Sequence, residues 1–89
     1  MSGKERRHAR SAVVRRGIVV HNASGATFRC TIVDVSLGGA RLQLIAPDLP
    51  HEGLTLIDTV EGRSHELKIV WRKGAFVGVA FASTVDLPG

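Results

Sequence analysis

Apolar and polar side chains alternate along most of this chain. Phe28, Cys30 and Ile32 fall on one face of an extended segment, and mostly polar side chains fall on the other. A period of two is typical of an antiparallel strand with one face buried and the other in water. No stretch of ten or more residues has a convincing helical period. Turn residues separate six such segments, which are the predicted strands: 13–21, 27–33, 40–45, 54–60, 64–72 and 76–81.

Six short strands joined by turns predict an all-β protein, either a small antiparallel barrel or a sandwich. A barrel would also remove exposed sheet edges. The pattern divides the chain into a flexible basic arm at 1–11, a barrel at 12–82 and a short tail at 83–89. Trp71 follows the same alternation as Leu67 and Ile69, so we expect it to pack in the core or at its rim.

The positive charge of the chain is unevenly placed. Eighty-nine residues fit one domain, and the net charge is +4. The first 16 residues hold six basic side chains against one acidic one, while the remainder hold six basic against seven acidic. The excess charge is therefore N-terminal, which indicates an anionic partner.

The residue types that carry catalysis and metal binding are sparse or badly spaced. Cys30 is the single cysteine, and the four histidines show no zinc-site spacing. Ser36 does not lie in a G-x-S-x-G turn. The sequence therefore predicts a binding protein rather than an enzyme, without metal or cofactor. We find no apolar leader and no apolar run of about 20 residues, so a cytoplasmic location without a membrane span is expected.

A compact turn lies between the second and third predicted strands, in the stretch 34–39, Asp-Val-Ser-Leu-Gly-Gly. Gly38 and Gly39 permit positive φ and close backbone approach. Asp34 and Ser36 are of the types that bond neighbouring main-chain groups in turns. Taken alone, this stretch is a capped hairpin connection.

Two arginines in the arm, Arg6 and Arg10, are four residues apart. Arginine binds phosphate bidentately, stacks on bases, and matches the O6 and N7 acceptors of guanine. The carboxylate of Asp34 complements the opposite, donor edge of that base. Together these three residues suit a guanine nucleotide with phosphates. The simpler alternative is a solvated basic tail.

The pair Arg6-x-x-x-Arg10 and Asp34-x-Ser36-x-x-Gly39 resembles the two-part signature of PilZ domains, the bacterial receptors for cyclic di-GMP. The similarity continues in three further segments: 39–42, 69–71 and 77–81. The resemblance implies a six-stranded antiparallel β-barrel, with the arginine arm lying across one face.

The resemblance also implies a ligand site for cyclic di-GMP. Its residues lie on the arm or in the turn: Arg6, Arg7, Arg10, Asp34, Ser36 and Gly39. By carry-over, Arg6 and Arg10 contact phosphate and guanine, and Arg7 supports them. Asp34 and Ser36 bond guanine edges or nearby backbone, and Gly39 permits the turn.

The implied mechanism is closure of the arm over the nucleotide, which changes a surface that an unknown protein effector detects. Many family members continue into a C-terminal helix, and 83–89 is too short to supply a full one. Two alternatives stay open: a small basic barrel that binds nucleic acid, and a PilZ-fold interaction module that does not use the nucleotide.

Overall fold

A closed antiparallel barrel of six strands forms the body of the protein. The computed structural model describes residues 11–44 and 49–88, with side chains from Val13 onward. All regular elements in these ranges are strands: β1 Ser11–His21, β2 Thr27–Ser36, β3 Gly39–Gln43, β4 Leu54–Asp58, β5 Arg63–Lys73 and β6 Phe76–Asp86. They close in the order β1-β2-β3-β6-β5-β4. The predicted all-β barrel is confirmed, and the sandwich alternative is not observed. Residues 1–10 of the predicted arm at 1–11 lie outside the described residues, as do residues 45–48. Ser11, predicted as the last residue of the arm, instead begins β1.

Aliphatic side chains from alternate strand positions fill the barrel. The largest fully buried ones are Val19, Ile32, Leu42, Leu54 and Leu56. Burying each such side chain contributes roughly 1.5–3 kcal/mol. The inward positions predicted for β2 and β3 are confirmed, because Cys30 and Ala40 are also buried.

The sixth strand is longer than the sequence pattern predicts. Instead of ending at Phe81, β6 continues to Asp86. Residues 83–86, which were expected to begin a tail, pair with the first four residues of β5. Ala82 is an extra residue between two paired positions, so it interrupts the period of two on which the prediction relied.

A bulge in β2 decides which way Asp34 faces. Ile32 pairs with Leu42, and Asp34 pairs with Arg41, so Val33 has no partner across the hairpin. Directly opposed residues share a face, and Arg41 is exposed on the outside of the barrel. The extra residue therefore moves Asp34 from the core face, where strict alternation would put it, to the outer face.

A second bulge, in β5, does the same for Trp71. Ile69 pairs with Val79 and Trp71 pairs with Gly78, which leaves Val70 extra. Trp71 is consequently 42% exposed on the outer face, and its predicted common face with Ile69 is wrong. A Cβ at Gly78 would lie 2.0 Å from the indole Nε1, so only glycine lets the ring rest on the β6 backbone.

A buried ion pair joins β1 to β4 beyond the end of their main-chain pairing. That pairing extends from His21 to Ile18 on β1 and stops there. Further along, Arg15 Nη2 donates to Asp58 Oδ2 at 2.8 Å, and its Nε lies 3.2 Å from both carboxylate oxygens. Asp58 is only 3% exposed and also accepts from the Glu61 amide at 3.1 Å. The side-chain pair thus closes the barrel where backbone bonds do not.

We expect Asp58→Asn to destabilise the fold by about 3 kcal/mol, because it leaves the Arg15 guanidinium buried without a countercharge. The control is Asp86→Asn, which removes the exposed Arg63–Asp86 pair, whose side chains are 52% and 85% exposed. Exposed pairs contribute about 0–1 kcal/mol. Urea unfolding of both variants measures the difference, and equal losses would contradict the role of the Arg15–Asp58 pair.

The stability difference between wild type and Asp58→Asn depends on pH. Burial alone would raise the pKa of Asp58, but the hydrogen bonds from Arg15 and the Glu61 amide, with the arginine charge, lower it overall. A carboxyl with a lowered folded pKa stabilises the protein above its unfolded pKa of about 3.9, and the contribution disappears as the pH falls through the folded pKa. The stability gap between wild type and Asp58→Asn should therefore shrink as the pH falls from 5 towards 2.

Gly78→Ala should displace the indole of Trp71 and destabilise the protein by roughly 1–3 kcal/mol, as overpacking does. Gly38→Ala is the matched control, since a Cβ there meets nothing within 4 Å. Tryptophan emission and thermal unfolding report both effects, because Trp71 is the only tryptophan. Unchanged emission in Gly78→Ala would show that the indole does not rest on β6.

Candidate functional site

A cavity of about 400 Å³ opens on the outer face of the barrel, where the β2–β3 hairpin meets β5 and β6. Both bulges turn side chains towards it. Its lining includes polar side chains from the hairpin and apolar ones from β5 and β6, among them Asp34, Ser36, Gly39, Arg41, Trp71 and Ala80.

The electrostatic centre of the cavity is a cross-strand ion pair. Arg41 Nη2 lies 3.0 Å from Asp34 Oδ2, and the two residues are directly opposed in the hairpin. The Asp34 side chain is 11% exposed, whereas half of the Arg41 side chain is exposed. The pair therefore holds a carboxylate deep in the cavity and a guanidinium at its mouth.

Ser36 fixes the turn rather than projecting into open space. Its hydroxyl donates to the carbonyl of Gly39 at 3.3 Å, across the last pair of the hairpin. The Gly38 carbonyl in turn accepts from the Phe81 amide at 2.9 Å. These two bonds tie the turn to itself and to β6, so the polar groups of the hairpin have a defined position.

Phe81 is itself held by a buried histidine. The His65 ring stacks on it, with centroids 4.0 Å apart and planes 11° from parallel. His65 Nδ1 lies 2.8 Å from Thr84 Oγ1, and burial lowers the pKa of the imidazole. Because Phe81 bonds the turn through its amide, His65 supports the cavity through this stacking without lining it.

Close approach, not an unusual φ, explains the second glycine of the turn. A Cβ at Gly39 would lie 2.2 Å from the carbonyl oxygen of Val79. The described glycines with positive φ are elsewhere: Gly25, Gly53, Gly62 and Gly74. Gly39 therefore lets β3 begin directly against β6 and so brings the hairpin to the cavity wall.

Trp71 supplies the flat apolar wall. Its indole rests against Gly78, and Val70 and Ala80 line the cavity beside it. An exposed indole next to a carboxylate and a guanidinium can stack on a planar ring while polar groups bond the ring's edges. This combination suits a nucleobase carrying an anionic group.

Three predicted site residues, Asp34, Ser36 and Gly39, come together around this cavity. The other three, on the arm, lie outside the described residues: Arg6, Arg7 and Arg10. The structure does show where the arm joins the barrel, because Ser11 pairs with Val35. Ser11, the first described residue, therefore lies beside the turn.

Among the cavity-lining residues that the sequence did not identify as site residues, Arg41 and Trp71 carry the groups that could bind a ligand. Arg41 could have been found from its alternation, since it lies outward on the strand that pairs with Asp34. Trp71 gave a misleading signal, because alternation without a bulge places it with Ile69. The glycine at 78 was a usable clue, since a glycine inside a strand often marks a site of close approach.

Other reactive groups do not enter this site. Burial raises the pKa of the Cys30 thiol to about 11, so it stays protonated at neutral pH. Within 11–44 and 49–88, no group of three or more His, Cys, Asp or Glu side chains could hold a metal ion. The same ranges contain no helix that is long and apolar enough to cross a membrane.

Comparison with known families agrees with this geometry. The family model of the PilZ domain matches residues 4–88, essentially the whole chain. A comparison with curated proteins finds no matching relative. PilZ domains form a family of cyclic di-GMP receptors and are binding or adaptor modules rather than enzymes. With its six-stranded barrel and the motif turn at the cavity, this chain belongs to the PilZ domain family.

Proposed function

We propose that this PilZ domain is a bacterial, cytoplasmic, non-enzymatic receptor that binds cyclic di-GMP in the 400 Å³ cavity and signals to a protein effector. The observation that carries the proposal is the meeting of Asp34, Arg41 and Trp71 around one cavity beside the start of the arm. No metal or cofactor takes part in this function.

Each of these three groups matches a different part of the nucleotide. A carboxylate accepts hydrogen bonds from the N–H groups on one edge of guanine. A guanidinium bonds phosphate or the O6 and N7 edge. An indole stacks on the base, which contributes about 1–3 kcal/mol per base in other nucleic-acid sites. Arg41 can serve the ligand without leaving Asp34, because half of its side chain is exposed.

The arm supplies the remaining positive charge. Arg10 directly precedes Ser11, whose pairing with Val35 fixes the start of the arm next to the turn. Arg6 lies five residues before Ser11, a span of at most about 17 Å when extended. We propose that both arginines contact the nucleotide there, and that closure of the arm over it changes the surface presented to the effector.

Calorimetric titration with cyclic di-GMP tests the proposal. We expect saturable binding to wild type and an affinity about 10-fold to 100-fold lower for Arg10→Ala and for Asp34→Asn, since each loses a charge-assisted contact of about 1.5–3 kcal/mol. Arg63→Ala is the control for a lost surface charge, because Arg63 pairs with Asp86 outside the cavity. A folded wild type that does not bind the nucleotide would overturn the proposal.

Trp71 provides an independent optical test. As the only tryptophan, 42% exposed, it should change its emission when the base stacks on it. Trp71→Ala should weaken binding roughly 5-fold to 150-fold through the lost stacking. Phe76→Ala is the matched control, because Phe76 is similarly exposed but does not line the cavity. Equal affinities of the two variants would remove Trp71 from the site.

A further inference from the structure

A second concavity, of about 930 Å³, lies on a different part of the barrel wall. It crosses β1, β2 and the end of β3, and it shares no lining residue with the first cavity. We call it the β1–β2 groove, defined by six of its lining residues: Arg16, Ile18, Arg29, Thr31, Gln43 and Thr59. None of the described residues that line it is acidic.

Strand register places five of these side chains, all except Thr59, on one outer face. Arg16 pairs with Thr31, and Ile18 pairs with Arg29. Thr31 also pairs with Gln43 on the far side of β2. The two arginines are therefore diagonal neighbours, at a separation of roughly 7–8 Å between α-carbons.

The charges in the groove are not balanced within the described part of the chain. Outside the groove, three described arginines each form an ion pair with an aspartate: Arg15, Arg41 and Arg63. The side chains of Arg16 and Arg29 form no ion pair or hydrogen bond with another described residue, and both residues are exposed. The two guanidinium groups, at diagonal positions and exposed, repel each other weakly through solvent. An anion bound between them would relieve that repulsion, so the groove favours an anionic occupant.

The remaining lining indicates which anion fits. Ile18 is 37% exposed, whereas Phe28 and Leu44, which also line the groove, face the core and are half-buried and buried. Nucleic acid is usually bound by a run of cations with several stacking aromatics, whereas this groove has two arginines and one half-buried phenylalanine. Arginine is enriched at protein interfaces, where an apolar centre is surrounded by a polar rim.

We propose that the β1–β2 groove docks an acidic peptide segment of a partner protein, in which two carboxylates flank an apolar side chain. The carboxylates pair with Arg16 and Arg29, and the apolar side chain packs on Ile18. In this proposal the groove is the surface through which the receptor contacts its effector, and that role rests on the proposed function. Its occupancy is nevertheless measurable without nucleotide.

Selection from a phage-displayed library of random 12-residue peptides tests this assignment. The bait is the full 89-residue chain, with counter-selection on the double variant Arg16→Gln/Arg29→Gln. We expect enriched peptides with two or more acidic residues around an apolar one. Labelled copies should bind at least 10-fold more weakly to each single variant, because each loses a charge-assisted contact. Arg63→Gln, which makes the same charge change elsewhere, should keep full affinity.

Further measurements separate this inference from the nucleotide site and from misfolding. Circular dichroism and thermal unfolding should match wild type for each variant, and Arg16→Lys should recover only part of the affinity because it lacks the planar fork. Selected peptides without acidic residues, or binding indifferent to Arg16 and Arg29, would overturn the assignment. Tighter, arginine-dependent binding of a 12-nucleotide oligothymidine would also overturn it. Peptide binding by a protein that ignores cyclic di-GMP would refute the proposed function alone.

Discussion

The candidate site depends on a single constraint of strand geometry: one extra residue inverts every face that follows it. The bulge at Val33 puts the Asp34 carboxylate outside the barrel while Val35 returns to the core. The bulge at Val70 does the same for the indole of Trp71. Without both bulges, the carboxylate would be buried among aliphatic side chains, at a large desolvation cost, and the cavity would lose its aromatic wall.

Two glycines let the hairpin and the indole lie close against β6. Gly39 lets the hairpin begin against the Val79 carbonyl, and Gly78 lets the indole lie on the β6 backbone. Each glycine lies where two strands meet. The space that its side chain would occupy is filled by the Val79 carbonyl at Gly39 and by the Trp71 ring at Gly78. The cavity therefore depends on its glycines as much as on its charged groups. The turn between the strands that carry Asp34 and Arg41 is hydrogen-bonded to the Phe81 amide.

Much of the fold could be predicted from the sequence, because alternation and turn residues are local signals. The six strands and their inward faces in β2 and β3 are of this kind. The motif residues Asp34, Ser36 and Gly39 were also identifiable, and they do meet at one cavity. The bulges were not predictable, since an unpaired residue is defined by register with another strand. For that reason Trp71 was assigned to the wrong face, and the extension of β6 past Ala82 was missed.

Arg15 and Arg16 show why counting charges in the sequence gives only a first approximation of the positive charge that a partner meets. Both belong to the N-terminal excess of positive charge, yet the strand period sends them to opposite sides of the barrel wall. Arg15 turns inward and binds Asp58, where it closes the barrel and contributes little to the field outside. Arg16 turns outward beside Arg29, and neither forms an ion pair within the described residues. The positive charge available to a partner is therefore smaller than the sequence total, and it is concentrated at places that only the register defines.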